Sequence, residues 1–92
     1  MDPHINPPAR LKLMTMLTAF SEVEFVTIRD ELDISDSVLS KHLKALADTG
    51  YVRTRKGVLR GRRTTWIALT PRGRRSLSDH VAALRAIIAD IE

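Results

Sequence analysis

Leu39, Leu43 and Leu46 fall at i, i+4 and i+7, one stripe of an α-helix, and between them stand Ser37, Ser40, Lys41, His42 and Lys44. Such a helix has an apolar back that docks on a core and a donor-rich front. Ser35 or Ser37 can cap its start by accepting from free first-turn N–H groups, and Asp36 lies where the helix dipole favours an anion. Gly50 can close its end, because glycine takes positive φ without steric cost. The stretch predicts a helix over about 36–49. Upstream, Thr27 reads as an N-cap with Asp30 three residues on, an Asp version of the capping box. The short helix it opens runs from Ile28 to Leu32 or Asp33, with Ile28 and Leu32 inward. Two helices joined by a short turn make a helix-turn-helix.

The same reading extends to both ends. Met1 to Asn6 is expected to be a loose tail, and Pro7-Pro8 opens a helix reaching Phe20. Leu11, Leu13, Met14, Met16, Leu17 and Phe20 cover more than one face of it. Either a partner subunit covers the second face or that face carries spare hydrophobes. Ser21 to Val26 is a connector with a short strand near Phe25-Val26. After Gly50 the period becomes two: residues 51–55 and 64–69 read as paired strands. Between them, residues 56–63 form a flexible hairpin tip with two glycines and four cations. Trp66 lies in the strand, which suits packing better than base stacking. Thr70-Pro71 then caps a last helix over about 71–92. Leu77, Val81, Leu84, Ile88 and Ile91 are spaced 4, 3, 4 and 3 apart along it. That is an a/d seam for a dimer, or a face packed on its own domain.

Charge sharpens the picture. The net charge is +4, but residues 49–78 hold nine Arg or Lys and no acidic residue, while the remainder carries six basic and eleven acidic residues, a balance of −5. An unopposed cationic third attracts phosphates, and its binding weakens with salt. Ninety-two residues make one domain, at 43% hydrophobic and 28% charged. No apolar run approaches the ~20 residues of a membrane span, and the N-terminus lacks the order of a secretory signal. There is no cysteine, hence no thiolate metal site or disulfide. His4, His42 and His80 have no ligand-like spacing, so no metal site and no cofactor are expected. His80 could sit at a subunit interface and titrate near neutral pH. No nucleophile–base set or Gly-rich phosphate loop marks an enzyme.

Residues 37–46, followed by Asp48-Thr49-Gly50-Tyr51-Val52, resemble the recognition-helix signature of ArsR- and MarR-like regulators. Leu69-Thr70-Pro71-Arg72-Gly73 resembles their strand-to-helix junction. The resemblance implies a mostly α, α+β winged helix-turn-helix over residues 7–92. It would carry a two-stranded β-wing over about 51–69 and a long C-terminal dimerisation helix. Carried over by position, it places Ser37, Ser40, Lys41, His42 and Lys44 on the DNA-facing helix and Lys56, Arg60, Arg62 and Arg63 on the wing. For His42, donation to phosphate or base competes with a hydrogen bond inside the domain. Arg72, Arg74 and Arg75 either extend the phosphate-contacting surface or are simply solvated.

The expected function is a cytoplasmic, nucleoid-associated regulator that binds double-stranded DNA sequence-specifically as a homodimer. The alternatives are a winged helix that binds nucleic acid or chromatin by shape and charge, and one used for protein interaction. A small-molecule effector could bind between the first and last helices of a dimer, although no residue names it.

Overall fold

A computed structural model describes residues 2–91. The elements are α1 (Pro8–Leu17), β1 (Val23–Glu24), α2 (Phe25–Leu32), α3 (Asp36–Asp48), β2 (Val52–Leu59), β3 (Arg62–Leu69) and α4 (Pro71–Ile91). The sheet is antiparallel in the order β1-β3-β2. One core joins Leu13, Met14 and Leu17 of α1, Ile28 of α2, the α3 leucines, Val52, Ile67 and Leu69 of the sheet, and Leu77 of α4. The leucine stripe of α3 is buried as its spacing requires: Leu39 and Leu46 are fully covered and Leu43 nearly so. Truncating such a leucine to alanine costs about 2–5 kcal/mol.

Local chemistry sets the joints. Ser35 Oγ accepts from Val38 N–H at 3.2 Å and caps α3. Gly50, at φ 79°, turns the chain from α3 into β2. Asp33 ends α2 in the left-handed region at φ 53°, a conformation Asp tolerates, and Ile34 N–H then donates to the Arg29 carbonyl at 3.3 Å. Thr70 Oγ1 accepts from Gly73 N–H at 3.0 Å and caps α4.

Several expectations change. The N-terminal segment is not loose: Ile5 is fully buried, and the Asp2 carboxylate accepts from the Tyr51 hydroxyl. Full burial of an isoleucine, worth about 1.5–3 kcal/mol, adds to the hydrogen bonds that Asp2 makes with Tyr51 and His80 in holding the segment down. The short strand lies at Val23–Glu24, before Phe25, because there it adds backbone pairs to the free edge of β3 (Val23↔Ile67, Glu24↔Trp66). The sheet therefore has three strands, with the two-stranded wing as its long hairpin. Thr27 is not a cap: α2 begins at Phe25 behind an extended Glu24, and no side chain caps it. The hairpin tip is not a long flexible loop, since pairing continues to Leu59↔Arg62. Only Arg60 and Gly61 remain in the turn, both with positive φ (53° and 75°), as a two-residue hairpin turn demands.

α1 ends at Leu17, short of Phe20, and residues 18–20 close in tighter turns. Phe20 is 59% exposed. Its neighbours Leu11, Met16 and Ala19 line a groove of about 720 Å³ with Pro8 and with Thr27 of α2.

Candidate nucleic-acid interface

The front of α3 is polar and open. Ser37, Ser40, Lys41 and Lys44 are all exposed, opposite the buried leucines. Lys44 is paired along the helix with Asp48 at 3.0 Å, an exposed i,i+4 contact that water screens. Arg29 bridges the turn between the two helices, reaching Asp30 and Asp36 at 3.0 Å each. Both carboxylates are largely exposed, so the pair adds little to the packing that holds the two helices.

His42 differs from the other four. It is half-buried, and its Nδ1 accepts from Arg10 Nε at 3.0 Å. Burial, then the positive charges of Arg10 and Lys41, hold its pKa below the ordinary histidine value. One ring nitrogen is thus bound inside the domain, as the competing reading of this residue had it.

Cross-strand pairs project to one face, so the register sorts the wing's cations. Arg55↔Trp66 and Leu59↔Arg62 share the outer face of the sheet, together with Glu24; Lys56↔Thr65 and Val58↔Arg63 share the other. On the outer face Arg55 Nε donates to Glu22 at 2.9 Å, and the guanidinium lies 5.5 Å over the Trp66 ring. Thr64 Oγ1 donates to Glu24 at 2.5 Å, and Arg62 stands 3.8 Å from the same carboxylate. Hydrogen bonding to Arg55 keeps the Glu22 carboxyl below its usual range. Two cations of the basic third are therefore partly neutralised. Arg53, Lys56, Arg60 and Arg63 are exposed and make no ion pair among the described residues. Trp66 packs under Arg55, as its place in the strand suggested.

Glu22, Glu24 and Arg10 were not singled out from the sequence. The period-two spacing of Glu22 and Glu24 was the available signal for the first pair; nothing local marks Arg10. Arg72 lies 5.9 Å over the Tyr51 ring, and Arg74 reaches only the Thr18 carbonyl at 3.5 Å.

The α4 seam divides. Leu77, at 6% exposure, belongs to the protomer's own core, and Val81 and Leu84 are half-buried. Ile88 and Ile91 are 54% and 80% exposed, with Ile87 beside them at 48%. His80 is also buried within the subunit, its Nδ1 accepting from Asp2 N–H at 3.3 Å, so it is not an exposed interface residue. No cluster of three metal-binding side chains occurs among the described residues. No helix among them is long and apolar enough to cross a membrane.

A capped, leucine-backed helix followed by a basic two-stranded hairpin is the arrangement of a winged helix. The chain belongs to the winged helix DNA-binding domain family, whose model matches residues 9–88. An uncharacterised protein of Methanocaldococcus jannaschii is 31% identical over 87 residues, which cover 95% of either chain. Among solved structures, a transcriptional regulator homologue from Pyrococcus horikoshii is 27% identical, with a TM-score of 0.89 over 97% of this chain and 88% of that one. A MarR family transcriptional regulator from Silicibacter pomeroyi shares the fold at 20% identity and a TM-score of 0.72, over 91% of this chain and 55% of that one. The winged-helix expectation stands, and the family is one of DNA-binding domains.

Proposed function

We propose that this protein is a homodimeric transcriptional regulator that reads double-stranded DNA by sequence. The observation that carries the reading is the division of α3, with its leucines sealed into the core and Ser37, Ser40, Lys41 and Lys44 left open. A helix fits the major groove of B-DNA, where hydroxyls and an ammonium reach base edges. The wing cations Lys56, Arg60 and Arg63, unpaired among the described residues, suit the flanking phosphates, and Arg62, tied loosely to Glu24, can join them. The exposed Ile87, Ile88 and Ile91 of α4, and the uncovered groove beside Phe20, favour a second copy as partner. In that dimer two α3 helices would enter successive major grooves about 34 Å apart. The place of work is the cytoplasm, on the nucleoid.

Selection of binding sites from a random duplex library, followed by fluorescence anisotropy at moderate salt, tests this. The expected result is a pseudo-palindromic site bound at least about a thousandfold more tightly than random duplex, the lower end of the usual specificity range of roughly 10³–10⁷. Equal affinity for every duplex would reduce the protein to a binder of shape and charge.

A further inference from the structure

We infer that Arg10 of α1 is a positioning residue for the recognition helix: it fixes the His42 ring so that Nε2–H is an outward donor to an acceptor on DNA. The inference rests on the DNA-binding reading above. A guanidinium has donors and no acceptor, so Nδ1, 3.0 Å from Arg10 Nε, can only accept. A neutral imidazole that accepts at Nδ1 carries its proton on Nε2. Nε2 has no partner among the described residues, and no side-chain nitrogen or oxygen among them is both buried and unpartnered. Nε2 therefore opens to solvent, on the helix whose neighbouring Lys41 is exposed.

Arg10 is itself held. It is half-buried on α1, and its Nη1 lies 3.5 Å from the His4 carbonyl. The N-terminal segment, α1 and α3 are thus linked through one guanidinium. A ring with one fixed tautomer and one fixed edge presents a single donor. Guanine O6 and N7, thymine O4 and phosphate oxygen can all accept it. Lowering of the His42 pKa by burial and by Arg10 and Lys41 keeps the ring in this neutral form near pH 7.

Two measurements decide it. The first is ¹⁵N NMR of the histidine rings in the free protein across pH. Wild type is expected to show His42 protonated at Nε2 and unprotonated at Nδ1. In Arg10→Met its titration midpoint should rise, while in Arg85→Met, altered on the exposed part of α4, it should not move. A proton on Nδ1 in wild type, or a midpoint indifferent to Arg10→Met, overturns the positioning role.

The second is anisotropy with the selected duplex and with random duplex. His42→Gln keeps a donor near the Nε2 position and should bind within about twofold of wild type, whereas His42→Asn lacks it and should lose on the order of tenfold. Loss confined to the selected duplex identifies a base edge as acceptor; equal loss on both identifies phosphate. Unchanged binding by His42→Asn on both duplexes overturns the donor while leaving the DNA-binding reading intact. A wild-type protein that binds no duplex ends that reading, and the donor's role with it.

Discussion

Gly73→Ala is the most informative single change in the scaffold. A Cβ at position 73 would lie 2.1 Å from the Tyr51 carbonyl oxygen and 2.9 Å from Leu69 Cδ1. The leucine tip can rotate away, but the oxygen is backbone. It also accepts from Thr70 N–H at 3.0 Å and Thr70 Oγ1 at 3.2 Å. To restore even the closest tolerable approach, α4 and the start of β2 must separate by about 1 Å, which strains those hydrogen bonds. Overpacking of this kind costs about 1–3 kcal/mol, and weakening the two bonds adds about 1 kcal/mol each. Alanine's helix propensity returns only about 1 kcal/mol. The net expectation is a loss of about 2–4 kcal/mol, or roughly 10–30 °C in Tm for a domain of this size. Thermal unfolding by circular dichroism or calorimetry reads it directly. A Tm unchanged or raised in Gly73→Ala would mean that α4 does not sit against Tyr51, and the joint between the recognition helix, the wing and the last helix would have to be redrawn.

Further outcomes follow from the charges and the uncovered apolar face. Arg60→Ala and Arg63→Ala should each lower the slope of log affinity against log salt by about 1, and Arg55→Ala, whose charge is spent on Glu22, should change it much less; equal slopes for all three would refute the sorting of the wing's cations. Ile88→Asp with Ile91→Asp should yield a folded monomer in analytical ultracentrifugation, and a persisting dimer would place the subunit contact elsewhere. Acid should weaken the fold in two windows, both with stability falling as pH falls. The His42 contribution is complete above about pH 6.5 and is lost as pH drops through its lowered folded value, because the unfolded chain binds the proton first. The Glu22 contribution is complete above about pH 4.5 and declines through its own lowered value. Urea midpoints measured across pH should flatten in the upper window for His42→Gln and in the lower one for Glu22→Gln; unaltered profiles would contradict both assignments.

What the sequence made legible were the elements whose signals are local. The leucine spacing of α3, the Ser35 cap, the Gly50 turn and the Thr70-Pro71 start of α4 each carry their own chemistry within a few residues. The features that escaped depend on partners far along the chain. Val23–Glu24 is a strand only because β3 offers a free edge more than forty positions later. Ile5 is in the core only because the domain leaves it a place there. The basic third looked uniform from composition, yet Glu22 and Glu24 lie opposite Arg55 and Arg62 once the strands pair. Leu77 fits an intersubunit seam by spacing, but it and His80 are buried in their own domain, while Ile88 and Ile91 further along α4 stay exposed.

We propose that the polar front of α3 and the wing cations Lys56, Arg60 and Arg63 meet DNA together. Titrating isotopically labelled protein with the selected duplex, and following amide and side-chain NMR shifts at moderate salt, tests it most directly. The largest changes are expected at Ser37, Ser40, Lys41 and Lys44 and at Lys56, Arg60 and Arg63. Ile87, Ile88 and Ile91 should stay nearly still. Changes centred on α4 or on the groove beside Phe20, with α3 and the wing silent, would contradict it.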